Sequence, residues 1–345
     1  MSKPKQHHYI HQSYLDSFAP NGKPFWVFDK WENGRIFPGT PENVMKEAQY
    51  YSQPDYLKGQ LDPKLETFFS KIEGHWPSLL QKISDRKPLA LEDHFHFFET
   101  LVMLRVRVPN ARKAVEACLR KSVEETSDFE IQDIPPELSS QITNASKKLN
   151  EKLLSGSLTM KDLIEEKIID VSIDPHRSIG LISQHIDSLR PTLRVLKYRS
   201  FLHNSTKTKF YTSDNPVLIY RQSSRDKNPD PYPWQVTTDF CICFVLSPSI
   251  AFYYNSREIS QPEHRNIKSE NTVKKINELV ALFADRFVVG SKRESVESLN
   301  LAQNICPVPD YANSQVGPES IRRLSFEFGP AIKLSKWKYD FNRDQ

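Results

Sequence analysis

Three observations predict an α+β fold with an N-terminal β-hairpin, a helical middle and a mainly antiparallel C-terminal sheet. Aromatic and β-branched residues flank an Asn-Gly dipeptide near the start of the chain. Apolar residues then recur at three- and four-residue spacings through the middle. After about residue 190 the pattern changes to short runs rich in Val, Ile, Tyr and Phe. A chain of 345 residues can bury a sizeable core, and a single domain over 1–345 is expected. The alternative division separates a hairpin-plus-helical part, 1–190, from a sheet part, 191–345.

Taken in order, FWVFDK (25–30) is the first strand, Asn33-Gly34 suits a type I′ turn, and RIF (35–37) returns. TPEN (40–43) reads as a helix start with Pro41 in its first turn. Leu65, Phe68, Phe69, Ile72, Trp76, Leu79, Leu80 and Ile83 define an amphipathic helix over 61–84 that Pro77 must kink or split. Helices follow at 91–107, closed by Pro109, and at 110–121. SDFEIQDIPP (127–136) is a polar loop, and helices resume at 137–154, 159–169 and 177–189. Strands are expected at 192–201, 209–213, 216–221, 240–247 and 250–255, the last two joined by SPS as a hairpin. The segment 222–234 is too polar and proline-rich for core. A helix over 267–285 and a short strand, RFVVGS, complete the pattern.

Composition narrows the function classes. The chain has ten glycines and no Rossmann or Walker pattern, which argues against a Gly-rich phosphate loop. Its longest apolar runs, such as CICFVL (241–246), fall far short of the ~20 residues that span a bilayer. MSKPKQHHYI has no apolar core of a signal peptide. Cys118, Cys241, Cys243 and Cys306 contain no C-x-x-C pair, and Cys241 and Cys243 would share one strand face as small core residues. A reduced, cytoplasmic protein without a membrane segment is the simplest reading. Net charge is a mild +4, but its distribution is uneven. No acid lies between Asp187 and Asp214, where Arg190, Arg194, Lys197, Arg199, Lys207 and Lys209 alternate with Tyr198, Phe201, Phe210 and Tyr211. A second basic stretch runs from Arg322 to Lys338. Such runs can hold a phosphate backbone and stack bases, or simply form a solvated face with snorkelling stems.

Four stretches carry candidate chemistry. In HHYIHQSYL (7–15), His7 and His11, and likewise His8 and Gln12, would share a face if the segment is helical. His7 and His11 with a further acid could hold a metal, although no H-E-x-x-H is present. His8 could serve as general acid or base, because imidazole titrates near neutral pH. In HFHFFETLVMLRVRVPNAR (94–112), helical spacing lines up His94, Phe98, Leu101, Arg105 and Val108, with His96, Thr100, Met103 and Arg107 adjacent. An arginine beside an apolar stripe needs a partner: Glu66 or Asp214 within the fold, or a bound phosphate or carboxylate. Glu66 and Glu73 repeat on one face of the 61–84 helix, as paired carboxylates or as a solvated edge. In TSDNPV (212–217), Asx-turn chemistry explains Asp214, Asn215 and Pro216, while a turn between strands also projects such groups rigidly. Ser213 is a weak nucleophile candidate, since G-x-S-x-G is absent.

HHYIHQSYLDSFAPNGKPFWVFDK, the Arg-x-Pro of LRVRVPNAR, YTSDNPV and INELVALFADRFVVGS stand in the order they take in the bacterial domain of unknown function 4238 family. The chain resembles that family from about residue 7 to about residue 291, with His11 where the family typically has proline. The resemblance implies that His8, Gln12, Arg107, Ser213, Asp214, Asn215 and Asn277 match recurring polar positions. It implies no settled activity, cofactor or substrate. Asn277 sits beside apolar Ile276 on the 267–285 helix, as a buried hydrogen-bonding residue or as part of a shared cleft.

The expectation drawn from these residues is a nuclease-like hydrolase of a phosphodiester or other anionic substrate, nucleic acid favoured. His8 is its acid/base, and Asp214 orients His8 or binds a divalent ion. Asn215 and Gln12 position substrate, Arg107 holds phosphate, and Ser213, Arg199 and Lys209 line the binding side. The alternative is a non-catalytic nucleic-acid- or protein-binding regulatory module, with bacterial phage defence one setting. In that reading the same residues form a buried, mutually satisfied network.

Overall fold

The hairpin forms as β2 (Phe25–Asp29) and β3 (Arg35–Gly39), paired antiparallel from Phe25↔Gly39 to Asp29↔Arg35. Asn33 and Gly34 both take positive φ, 52° and 76°, and the Arg35 amide closes the turn on the Glu32 carbonyl at 3.0 Å. That is the type I′ geometry the Asn-Gly dipeptide favours. The computed structural model describes residues 6–19, 22–48, 50, 53–55, 60–62, 64–131, 134–171, 199–221, 240–255, 257 and 262–298.

Around the hairpin, β1 (Gln6–His8) pairs with β4 (Lys46–Ala48), and β5 (Gln53–Asp55) with β6 (Gln60–Asp62). A short α1 (Gln12–Leu15) follows β1. The helical middle comprises α2 (Lys64–Glu73), α3 (Trp76–Ser84), α4 (Leu91–Val106), α5 (Pro109–Thr126), α6 (Pro136–Ala145), α7 (Lys147–Ser155) and α8 (Met160–Glu165). The C-terminal part holds β7 (Arg199–Asn204), β8 (Thr212–Ser213), β9 (Val217–Arg221), β10 (Phe240–Ser247), β11 (Ile250–Asn255) and β12 (His264–Ile267). It ends with α9 (Glu270–Phe283), β13 (Phe287–Gly290) and α10 (Arg293–Glu297).

Several expectations are corrected by local chemistry. TPEN starts no helix: residues 41–43 are a turn, and the chain goes on into β4, held by its ladder to β1. The 61–84 helix is split at Gly74-His75, with Pro77 in the first turn of α3, where its missing N–H costs nothing. The 137–154 helix is broken at Ser146, whose extended backbone separates α6 from α7. Residues 7–11 are not helical, so the predicted face-sharing of His7 with His11 and of His8 with Gln12 does not occur. β12 was not expected, and it pairs parallel with β7. The segments 177–189, 192–198, 222–234 and 322–338 lie outside the described residues.

Two larger sheets organise the molecule. The five-stranded sheet has the order β12-β7-β11-β10-β9, and the four-stranded sheet β3-β2-β13-β8. The N-terminal hairpin therefore joins a C-terminal strand through β2·β13, from Phe287↔Asp29 to Gly290↔Trp26. Strand alternation places Phe201, Phe244 and Phe252 on one face of the larger sheet, where Phe97 of α4 packs at centroid distances of 5.5, 6.3 and 4.9 Å. Tyr220 points to the opposite face, against Phe283 of α9 at 6.3 Å. One buried cluster runs from Tyr9 to Val296, while Ile142, Leu149, Leu158 and Leu163 form a smaller one among α6–α8. Cys241 and Cys243 are buried and on one strand face, as expected.

Candidate functional site

TSDNPV is the crossing point between the sheets: Thr212-Ser213 is β8 of the smaller one, and Val217 opens β9 of the larger. At the crossing the main chain must leave one ladder for another, and its polar groups need partners from side chains. The Ser213 hydroxyl accepts the Asn215 amide at 3.2 Å, a local turn bond. Asn215 Nδ2 donates to the Phe283 carbonyl at the C-terminus of α9 at 2.9 Å. Asp214 does not close the expected Asx-turn. Its carboxylate reaches across to the turn after α9 and accepts the amides of Asp285 (2.8 Å), Arg286 (2.7 Å) and Phe287 (2.9 Å).

Asp214 is buried, and burial together with the nearby Asp285 pushes its carboxyl up to about 7, while the three amides pull it back. Three N–H donors suit only an acceptor, so the bonded form is the carboxylate. Asp285 in turn is held by Lys113 Nζ at 2.9 and 2.8 Å. Lys30 Nζ donates to the carbonyls of Ala281 (3.0 Å) and Ala284 (2.9 Å), so the end of α9 is capped from two directions. Asn277 is a buried bridge: its Oδ1 accepts the Tyr211 amide at 2.9 Å and its Nδ2 donates to the Lys209 carbonyl at 2.8 Å.

The N-terminal motif is a second junction. His11 N-caps α1, its Nδ1 accepting the Tyr14 amide at 3.0 Å, which leaves Nε2 protonated. Burial and the nearby Arg107 push its imidazole well below the usual value. Tyr14 Oη donates to the Val245 carbonyl at 2.6 Å and lies 2.5 Å from Thr212 Oγ1, and Ser17 Oγ donates to the Leu246 carbonyl at 2.8 Å. His7 pairs with Glu66 at 3.5 Å. Arg107 donates to Glu73 and to the His8 carbonyl, and its guanidinium lies over the Phe69 ring at 4.9 Å. Arg107 is thus paired with Glu73 rather than with Asp214, and the other glutamate of α2, Glu66, lies against His7.

Of the remaining candidates, Gln12 Nε2 lies 3.4 Å from Glu42 Oε1. The His8 ring is half-buried, with Nε2 partnerless among the described residues. Burial lowers its pKa, against the pull of the Glu42 and Pro41 main chain. No hydrogen bond joins His8 to Asp214 among the described residues. Lys209 Nζ lies 3.4 Å from the Thr206 carbonyl, and Arg199 opens β7 with its side chain outside the described ones. No group of three potential metal ligands occurs among the described residues. No helix among them is long and apolar enough to cross a membrane. Sequence reasoning missed Tyr14, Lys30, Lys113, Asp285 and Glu42. Each meets residues distant in sequence; Tyr14, Lys30 and Asp285 lie within the quoted motif stretches, but nothing local marks their partners.

An α+β scaffold whose motif residues clamp its own main chain is the class these contacts define. The chain belongs to the family described as Protein of unknown function (DUF4238), whose model matches residues 6–294. No curated protein and no solved structure matches the chain.

Proposed function

We propose that the protein is a non-catalytic module that binds an anionic partner at its surface, nucleic acid being the favoured class. One observation carries the non-catalytic part: Asp214 offers both carboxylate oxygens to main-chain amides, and Asn215 donates its amide to the end of α9. A carboxylate that must orient a histidine or hold a divalent ion needs a free oxygen directed at that group. The choice of partner rests on the basic, aromatic-interleaved run that ends at Lys209 and Phe210, with Lys207 exposed in the loop after β7.

The test is fluorescence anisotropy with labelled single- and double-stranded oligonucleotides across a salt series, followed by a gel of the same samples with and without Mg²⁺ or Mn²⁺. The expected result is salt-dependent binding and intact oligonucleotide. Binding that is absent at low salt overturns the choice of partner. Cleavage overturns the non-catalytic reading.

A second reading, phosphodiester hydrolysis with His8 as acid/base, is favoured by the partnerless His8 Nε2 and by a ring kept neutral near pH 7. It predicts cleavage that disappears in His8→Ala while the protein stays folded.

A further inference from the structure

We infer that Arg86, His203, His264 and Asn266 form a phosphate-binding site at the β12 edge of the five-stranded sheet. The inference rests on the anionic-partner reading above and names where the phosphate is held.

The parallel register sets His203 of β7 opposite Asn266 of β12, and His264 lies two residues earlier on the same face. His203 Nε2 and His264 Nδ1 are 2.9 Å apart, so the imidazoles share one hydrogen bond. Arg86 comes from the turn between α3 and α4 and donates through Nη2 to Asn266 Oδ1. Its φ of +56° is the left-handed conformation that ends α3, with the Arg86 amide on the Ile83 carbonyl (3.1 Å) and the Lys87 amide on the Lys82 carbonyl (2.9 Å). Arg86 is exposed, and no carboxylate pairs with it among the described residues. His264 Nε2 is buried and has no partner among those residues either.

The result is a guanidinium beside two imidazoles with little negative charge to balance it. Burial, then Arg86, then His264 push His203 down to about 4. Burial lowers His264 too, with Glu263 opposing and Arg86 adding to the shift. An oxyanion supplies what is missing: an acceptor for the outward guanidinium N–H groups and a charge that permits an imidazole to protonate. The donors approach from a turn on one side and from two strands on the other. That suits a tetrahedral group with several acceptor oxygens better than a planar carboxylate.

The test uses the full chain and two probes. Sodium sulfate, whose charge is constant across the range, is titrated while the ring resonances of His203 and His264 are followed at about pH 6 and about pH 7.5. A short labelled oligothymidylate is titrated in parallel by anisotropy. Sulfate should shift both rings saturably and bind about threefold or more tighter at the lower pH, and Arg86→Gln should weaken it about tenfold. Arg86→Lys, which keeps the charge, should fall between, and a thermal melt of each variant confirms folding. Sulfate binding unchanged in Arg86→Gln, or rings that do not respond, overturns the site. Sulfate binding without oligonucleotide binding leaves the site standing and removes nucleic acid as its ligand. Oligonucleotide binding indifferent to Arg86 leaves the nucleic-acid reading standing and overturns the claim that this site is where its phosphate is held.

Discussion

Tyr14 donates its hydroxyl to the main-chain carbonyl of Val245 at 2.6 Å, tying the N-terminal motif to β10, an interior strand of the five-stranded sheet. The same oxygen meets Thr212 Oγ1, so one phenol joins α1 to a strand of each larger sheet. Tyr14→Phe keeps the ring packing on Phe244 and Trp76 but leaves a buried carbonyl and a buried hydroxyl short of a partner. The expected loss is about 1–3 kcal/mol, read from urea denaturation as a lower midpoint at unchanged slope.

Arg107 is buried, whereas its partner Glu73 is partly exposed, with side-chain exposures of 3% and 25%. Removing the glutamate leaves a buried cation that still has the His8 carbonyl, whereas removing the arginine leaves a carboxylate that can turn to water. Glu73→Gln should therefore destabilise by about 1–3 kcal/mol. Arg107→Lys should also destabilise, because an ammonium cannot bridge Glu73 and the His8 carbonyl as a planar fork does. Chemical denaturation of both variants checks this, and equal stability of Arg107→Lys and the parent contradicts it.

Asn277 must present its oxygen to the Tyr211 amide and its nitrogen to the Lys209 carbonyl. Asn277→Asp sets an oxygen against that carbonyl and should cost about 2–4 kcal/mol, more than the isosteric change implies. A melting temperature equal to the parent's would contradict the bridge.

Stability should fall on acidification because of the buried His11 and the half-buried His203. His11 and His203 have folded-state pKa values below that of free imidazole, His203 at about 4. Their contribution is complete above the unfolded value, about 6.5, and is lost as pH falls from there toward the folded values. Asp214, raised to about 7, acts in the opposite sense, gaining as pH falls through that value. His203→Gln isolates the histidine part: its melting temperature should vary less between about pH 6.5 and about pH 4 than the parent's. An unchanged slope would refute the assignment.

The legible parts of the fold were those fixed by neighbours in sequence. Asn33-Gly34 announced its turn, and Phe240–Ser247 and Ile250–Asn255 announced their hairpin, because turn geometry and alternation are local. β12 was hidden because its pairing with β7 is parallel and distant, and HRNI carries no strong strand pattern. The motif residues were legible as candidates, but not as to the contacts they make. Asp214 reads as a turn carboxylate in sequence, and only the tertiary position of the turn after α9 shows which amides it accepts. Arg107 needed a carboxylate, but nothing local distinguished Glu73 from Glu66.

The most direct test of the account is the unfolding free energy of Asp214→Asn. A carboxamide offers one accepting oxygen where three amides converge and turns an N–H toward at least one of them. The account predicts a loss of about 2–4 kcal/mol in urea denaturation. A variant as stable as the parent would contradict it and leave the Asp214 carboxylate free for chemistry.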